Sequence, residues 1–91
     1  MERTFQFELL TPEGILMRDA VSGVVAPGQE GYFGVLPRHE LFATTLRKGV
    51  LTVKRQDKTR CYEVTGGIIQ VTPDKVVVCA ERAALQEIED R

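Results

Sequence analysis

The local structure of this chain is set most strongly by one run, Pro27-Gly28-Gln29-Glu30-Gly31-Tyr32-Phe33-Gly34-Val35-Leu36-Pro37-Arg38-His39. Gly28 and Gly31 can adopt a positive φ without steric cost, so the beginning of the run predicts a tight, exposed turn. The aromatic and β-branched residues that follow favour the pleated, half-buried surface of a short strand. Pro37 lacks a backbone N–H, so it ends this strand or places it at a sheet edge. A second loop, residues 38–40, is therefore expected after the strand.

The flanking sequence alternates between short apolar runs and turns. Phe5-Gln6-Phe7-Glu8-Leu9 places apolar and polar residues in strict alternation, which is typical of a half-buried strand. Turn-forming residues then recur at Thr11-Pro12-Glu13-Gly14, Arg47-Lys48-Gly49, Lys54-Arg55-Gln56-Asp57-Lys58 and Thr72-Pro73-Asp74-Lys75. No long segment before residue 81 has a helical period. This spacing predicts one domain of the all-β class, a sandwich or barrel.

The end of the chain has a different pattern. Within residues 83–91, apolar side chains could line one face of a helix and charged side chains the other. Such a helix would have at most two turns, which is marginal alone in water. We therefore predict a β domain at residues 1–83 and a short helical or irregular tail at residues 84–91.

The composition is that of an ordinary soluble globular protein. Of the 91 residues, 43% are hydrophobic and 27% are charged. The formal net charge of -1 provides no general electrostatic attraction to nucleic acid or to acidic lipid. No apolar run approaches the ~20 residues that cross a bilayer, so we expect no direct membrane insertion. Any association with a membrane would then depend on a partner.

Residues with catalytic or metal-binding chemistry are few. A Ser-His-carboxylate site would need both Ser22 and His39, and nothing marks Ser22 as a nucleophile in its expected strand. Two cysteines and one histidine are too few for a structural zinc site. We therefore expect no catalytic residue, no metal ion and no cofactor.

The cysteines and the paired glycines have simpler interpretations. Cys61 and Cys79 fall in predicted strands, where buried, inert thiols are usual, and a disulfide would require these strands to lie side by side. Gly66-Gly67 is not followed by the lysine of a phosphate loop. The pair instead predicts a bulge or a close approach of two backbones.

The charged run Lys54-Arg55-Gln56-Asp57-Lys58-Thr59-Arg60 leaves an alternative function open. Such a run is usually the solvated tip of a hairpin. A small β-barrel that binds single-stranded nucleic acid would combine a basic groove with aromatic stacking platforms. Here the aromatic residues are spread over apolar positions, so we keep nucleic-acid binding as the second interpretation.

Several short motifs follow one another in a fixed order. They are Glu30-Gly-x-x-Gly34-Val-Leu-Pro37-x-His39, Thr44-x-Leu46-x-x-Gly49-x-Leu51, Tyr62-x-x-x-Gly66-Gly67-Ile68-x-x-Val71, and Val76-Val77-Val78 through to Ala83. Each motif alone is weak, but the ordered set covers nearly the whole chain and resembles the epsilon subunit of F-type ATP synthases. One position departs from the family pattern, because Leu41 stands where a proline is usual. We expect a local change of the loop there.

The resemblance implies a fold, a function and a location. The fold would be the N-terminal domain of that subunit, a flattened antiparallel sandwich of two sheets. The chain would be a non-catalytic central-stalk subunit of the rotor, which links the gamma subunit to the polar loops of the membrane c-ring and couples proton-driven rotation to ATP synthesis. It would lie peripherally on the cytoplasmic face of the bacterial cell membrane, or on the equivalent face of an organelle membrane.

The same resemblance implies two contact surfaces. The contact with the c-ring is expected at the turn formed by Glu30, Gly31 and Tyr32, where Tyr32 would contribute by aromatic burial. The contact with the gamma subunit is expected at Arg38, His39, Glu40, Leu41 and Phe42. Because this contact is permanent, we expect an exposed apolar patch drawn from residues such as Leu41, Phe42 and Val71.

Most members of the family continue into two helices. These helices fold down as a hairpin or extend along the rotor and block hydrolysis, and in some members the hairpin binds ATP. The present sequence stops at Arg91, before a pair of helices could form. We therefore expect neither the inhibitory switch nor affinity for ATP in this chain.

Overall fold

The computed structural model describes residues 3–38 and 41–90, including all of their side chains except those of Glu89 and Asp90. Its eight strands are β1 (Phe5–Thr11), β2 (Gly14–Val21), β3 (Gly23–Gly28), β4 (Gly31–Val35), β5 (Phe42–Leu46), β6 (Gly49–Lys54), β7 (Lys58–Thr72) and β8 (Lys75–Asp90). This part of the chain has no helix, and so none long and apolar enough to cross a membrane. The predicted all-β class is confirmed, as are the four turns predicted outside the central run.

The strands follow the period-two pattern of their sequences. In β1 the side chains of Phe5, Phe7 and Leu9 are buried, while Gln6 is exposed. Every one of the eight strands contributes buried apolar side chains to the same core cluster. The alternation read from the sequence therefore corresponds to one shared apolar interior.

The strands form one continuous sheet that folds over itself. Their order is β2-β1-β8-β7-β5-β3-β4, and β6 pairs with both β3 and β7. Residues 59–64 of β7 pair with β6, and residues 67–71 pair with β5, so the two halves of β7 have different neighbours. The pairs are antiparallel except β1 with β8, which are parallel. These two strands are far apart in sequence, so no short connection fixes their relative direction.

The glycine pair Gly66-Gly67 marks a bend in β7. A straight strand of 15 residues would extend ~50 Å at ~3.3 Å per residue, which exceeds the longest dimension of the molecule, 34 Å. Both glycines have a positive φ, of 69° and 127°. A Cβ on Gly67 would lie 2.8 Å from the Cα of Ala80 and would overlap the carbonyl oxygen of Cys79. The predicted close approach of two backbones is confirmed.

The predicted helical or irregular conformation of residues 84–91 is wrong for its described part. β8 continues as a strand to Asp90, which lies opposite Lys58 of β7. The register between the two strands shifts at Gln86, which has no opposite residue in β7. The long strand β7 offers backbone hydrogen-bond donors and acceptors to the end of β8, and pairing with it satisfies the backbone there. A two-turn helix in the same segment would have only marginal stability. Arg91 lies outside the described residues, and the division into residues 1–83 and 84–91 stays a prediction.

Two smaller expectations are also wrong. The two cysteines are not buried as predicted, since Cys79 is exposed and Cys61 is half-buried. Cys79 faces outward because the residues on either side of it in β8 face the core. The two thiols are free and lie at distant positions of the β7–β8 ladder. Ser22 lies in a bend between β2 and β3, where its hydroxyl donates a hydrogen bond to the carbonyl oxygen of Lys54 at 3.1 Å.

Candidate interaction surface

An open groove lies between the β3–β4 hairpin and β5. Its volume is about 920 Å³, with residues 28–35 on one side, residues 41–45 on the other and Val71 of β7 also contributing. The groove exists because β3 and β5 share a single register pair, Gly28 with Leu46. Beyond that pair the two strands diverge, and the sheet opens.

An aromatic pair lies within this groove. The rings of Phe33 and Phe42 have centroids 5.2 Å apart and meet edge to face, at an interplanar angle of 71°. A Cβ at position 28 would come within 2.7 Å of the Phe33 ring, so Gly28 makes room for it. Phe33 is half-buried against the core cluster, whereas Phe42 stays 42% exposed. The pair therefore joins the core to the open surface.

Three exposed apolar side chains line the groove. Tyr32 is 59% exposed, Leu41 is 70% exposed and Phe42 is 42% exposed. Other exposed apolar side chains, such as those of Leu16 and Leu85, lie outside it. Aromatic and aliphatic side chains exposed in a groove are typical of a contact site for another macromolecule.

The structure brings parts of both predicted contact sets to this one groove. Glu30, Gly31 and Tyr32 line it from the β3–β4 hairpin, and Leu41 and Phe42 line it from the side of β5. The tight, exposed turn predicted at the tip is confirmed, and Gly31 has a φ of 130°. Which partner touches which residue stays a prediction.

The remaining predicted contact residues follow β4. Arg38 is exposed and has a φ of 68°, an uncommon conformation for a residue with a side chain. It does not line the groove. His39 and Glu40 lie outside the described residues, so their predicted roles stay predictions.

Two residues of the groove, Val71 and Phe33, differ from the sequence prediction. Val71, expected in the exposed patch, is 1% exposed, because the alternation in β7 turns it inward together with Ile69. Phe33 was not assigned to either contact surface. Gly28 lies diagonally across the β3–β4 hairpin from Phe33. A glycine diagonally opposite an aromatic residue leaves space for the aromatic ring, and this pattern in the sequence could have predicted where the Phe33 ring lies.

A cluster of charged side chains lies on β1, β2 and β8 and does not line the groove. The Glu8 carboxylate accepts a hydrogen bond from Arg18 Nε at 2.8 Å and lies 3.4 Å from Lys75 Nζ. Partial desolvation raises the pKa of Glu8, but the hydrogen bonds and charges of Arg18 and Lys75 outweigh it, so the pKa lies below its ordinary value of 4.5. The cluster joins three strands and is structural.

The chemistry of the groove is that of binding. Its walls present aromatic and aliphatic side chains, the carboxylate of Glu30, backbone groups, and the polar side chains of Gln29, Thr44 and Thr45. Over residues 3–38 and 41–90, no three His, Cys, Asp or Glu side chains gather as metal ligands. A small all-β domain with an exposed apolar groove beside a tight turn has the architecture of a protein-interaction domain.

The family of this interaction domain is shown by its sequence. Residues 4–86 match the model of the ATP synthase delta/epsilon chain β-sandwich domain. The chain belongs to this family.

The most similar relatives include epsilon chains of bacterial ATP synthases. Those of Brucella canis and Brucella abortus are each 45% identical to this chain over 84 residues. The matched region covers 91% of this chain and 62% of each relative. The chain therefore spans about three fifths of the length of these relatives.

Solved structures share the fold. A chain in the cryo-EM structure of the Euglena gracilis mitochondrial ATP synthase, described as OSCP, F1 and c-ring, superposes with a TM-score of 0.85 at 24% identity. The match covers 90% of this chain and 53% of that one. A chain in the Tetrahymena thermophila mitochondrial ATP synthase central stalk and c-ring gives a TM-score of 0.72 at 14% identity, covering 98% of this chain and 68% of that one.

Proposed function

We propose that the chain is a non-catalytic subunit of the central stalk, or rotor, of an F-type ATP synthase. It links the gamma subunit to the membrane c-ring and so couples proton-driven rotation to ATP synthesis. The family match over residues 4–86 carries this proposal. It is supported by the 45% identity to proteins named as epsilon chains.

The groove is suited to the contact with the gamma subunit. A permanent interface has an apolar centre with large aromatic or aliphatic side chains and a more polar rim. Phe42 and Leu41 supply the apolar centre, and Arg38 is an exposed cation outside the groove lining. The proposed contact consists of Arg38, His39, Glu40, Leu41 and Phe42.

The tip of the β3–β4 hairpin is suited to a contact with the polar loops of the c-ring. Glu30, Gly31 and Tyr32 are exposed there, and none of them belongs to the core. A projecting turn with one carboxylate and one aromatic ring can contact a small, polar surface without disturbing the sheet behind it. These three residues form the proposed ring contact.

The continuous sheet supplies the stiffness that this function needs. A linker in a rotor transmits torque only if it deforms little under load. Here all eight strands share one close-packed core, and packed interiors have low compressibility. The proposed location follows from the partners: the periphery of the membrane, on the cytoplasmic face in bacteria or the equivalent face in an organelle.

Co-purification with the gamma subunit tests the proposed function. The full chain, carrying an affinity tag, should retain the gamma subunit and the c-ring from solubilised membranes. Phe42→Ala should weaken the binding of the gamma subunit about tenfold or more, because it removes the exposed ring of the aromatic pair. The affinity can be measured by surface plasmon resonance, with the gamma subunit immobilised and the purified chain in solution.

Ile88→Ala is the matched control for this experiment. Ile88 is 48% exposed, close to the 42% of Phe42, but it lies on β8 outside the groove. Its substitution should leave the affinity unchanged. Equal losses in both variants would contradict the placement of this contact in the groove, and no retention of the gamma subunit by the unmodified chain would contradict the proposed function.

Binding of single-stranded nucleic acid, the second interpretation of the sequence, has no support among these relatives. Three of the six aromatic rings, those of Phe5, Phe7 and Tyr62, are buried in the core. The groove that holds the other three has a carboxylate and no basic side chain among its lining residues, which is unfavourable for a nucleic-acid backbone. In the charged run, Arg55 already forms an ion pair with Asp19 at 2.9 Å. Chromatography on immobilised single-stranded DNA should show no salt-dependent retention of the chain.

A further inference from the structure

Two turns and the strand ends beside them are joined by hydrogen bonds. The first turn is the tip of the β3–β4 hairpin, and the second is the β5–β6 turn, residues 47–48. The backbone N–H of Arg47 donates to the carbonyl oxygen of Pro27 at 2.8 Å. The hydroxyl of Thr45 donates to the side-chain oxygen of Gln29, also at 2.8 Å.

Tyr32 makes the third connection. Its hydroxyl oxygen accepts a hydrogen bond from the backbone N–H of Val50, the second residue of β6, at 2.9 Å. The side chain therefore reaches from the hairpin to the far side of the β5–β6 turn. Although Tyr32 is 59% exposed, its polar end is already held by the protein.

Gly49 makes this reach possible. A Cβ at position 49 would lie 2.6 Å from the Tyr32 hydroxyl oxygen and 2.8 Å from the Cβ of Pro27. Gly49 is not among the residues with a positive φ, so its backbone conformation does not itself require glycine. What requires glycine is the close approach of the tyrosine and the proline.

The joined turns carry two exposed cations. Arg47 and Lys48 are exposed, and neither forms an ion pair within residues 3–38 and 41–90. A shallow depression of about 230 Å³ lies between the turns, lined by Gly31 and Tyr32 on one side and by Arg47 and Lys48 on the other. Two cations thus line this depression, and no carboxylate of the described residues does.

We propose that the β5–β6 turn is a second part of the ring-facing surface and that Tyr32 is the positioning residue that holds it against the hairpin tip. This inference rests on the proposed function. The positive charge of the depression fits a polar loop that presents a carboxylate, with which Lys48 and Arg47 can pair, while Glu30 lines the neighbouring groove. Tyr32 then acts mainly through its hydroxyl group and the turn it fixes, and less through burial of its ring.

Hydrogen exchange in the full chain tests the connection by itself. Tyr32→Phe keeps the ring and removes the acceptor, so exchange of the Val50 N–H should become about tenfold faster or more. Exchange in the core strands should not change. Gly49→Ala should accelerate the same amide, because the new Cβ displaces the Tyr32 hydroxyl. An unchanged rate at Val50 in both variants would overturn the positioning role.

A double-mutant cycle with the rotor tests the shared surface. The dissociation constant of the chain from a complex of the gamma subunit and c-ring is measured for Lys48→Glu, Tyr32→Phe and the double variant. Lys48→Glu should weaken binding about tenfold when Tyr32 is present and about twofold or less in the Tyr32→Phe background. Arg82→Glu, a reversal of an exposed cation on β8, is the matched control and should have no effect.

The outcomes separate this inference from the proposed function. Additive effects, or no effect of Lys48→Glu on an unmodified chain that binds well, would overturn the two-turn surface and leave the proposed function intact. No binding of the unmodified chain to the rotor would overturn the proposed function and the ring-facing surface together. Dependence of the Lys48→Glu effect on the Tyr32 hydroxyl supports both.

Discussion

Gly67→Ala is expected to lower the free energy of unfolding by about 2–6 kcal/mol, as the sum of two separate costs. The φ of Gly67 is 127°, and holding an alanine in that region costs about 1–3 kcal/mol. The new Cβ would also lie 2.8 Å from the Cα of Ala80 and overlap the carbonyl oxygen of Cys79. Relieving such an overlap adds about 1–3 kcal/mol. The total is a large part of the ~5–14 kcal/mol expected for a domain of this size.

Gly14→Ala separates these two costs. Gly14 has nearly the same φ, 124°, but a Cβ there would have no heavy atom within 4 Å. The control therefore carries the backbone strain without the overlap. Thermal unfolding followed by circular dichroism should give a Tm for Gly67→Ala about 4–24 °C below that of Gly14→Ala. Equal Tm values would refute the reasoning from the close approach of β7 and β8.

Three further predictions concern the core, the charged cluster and the thiols. Leu51→Ala leaves a cavity at a fully buried position and should lower the free energy of unfolding, measured by urea denaturation, by about 2–5 kcal/mol. A loss below about 1 kcal/mol would contradict the close packing around Leu51. Because the pKa of Glu8 is lowered on folding, its contribution to stability is complete above pH 4.5 and is lost as the pH falls through the folded-state pKa. Glu8→Gln should flatten this part of the stability curve, and an identical pH dependence would count against the ion cluster. Finally, a thiol reagent should label Cys79 before Cys61, because Cys79 is exposed and Cys61 is half-buried. Peptide mapping of the partly labelled chain measures this order, and labelling of Cys61 first would contradict it.

The parts of the fold that could be predicted from the sequence are those encoded locally. The alternation Phe5-Gln6-Phe7-Glu8-Leu9 needs only the two-residue period of a strand, and β1 follows it. The turn at Pro12 and Glu13 and the bend at Gly66-Gly67 follow from what proline and glycine allow. These features do not depend on which strands become neighbours.

The errors arose where neighbours decide the outcome. The residues after Ala83 form a strand because β7 is long enough to pair with them, and local propensity contains no information about that length. Val71 and Cys79 were assigned to the wrong side because a shift of one residue exchanges the two faces of a strand. For Val71 and Cys79 the sequence predicts the strand but not its register, and for the residues after Ala83 it does not predict the strand itself.

The candidate site was predictable only in part. The motif beginning at Glu30 identified the hairpin tip, and the tip is exposed as expected. The groove itself results from the single register pair between β3 and β5, a long-range property that the sequence does not display. The contact of the Tyr32 hydroxyl with the Val50 N–H depends equally on the folded arrangement.

The long β7–β8 hairpin has a mechanical consequence. β7 continues without interruption from its pairing with β6 to its pairing with β5, and β8 runs beside it throughout. A force that pulls β7 lengthwise against its neighbouring strands reaches β7 through the hydrogen bonds of the ladder. These bonds lie across the strands, so such a pull loads many of them in shear at the same moment. Tension applied along β7 therefore meets a ribbon that cannot be peeled open one bond at a time.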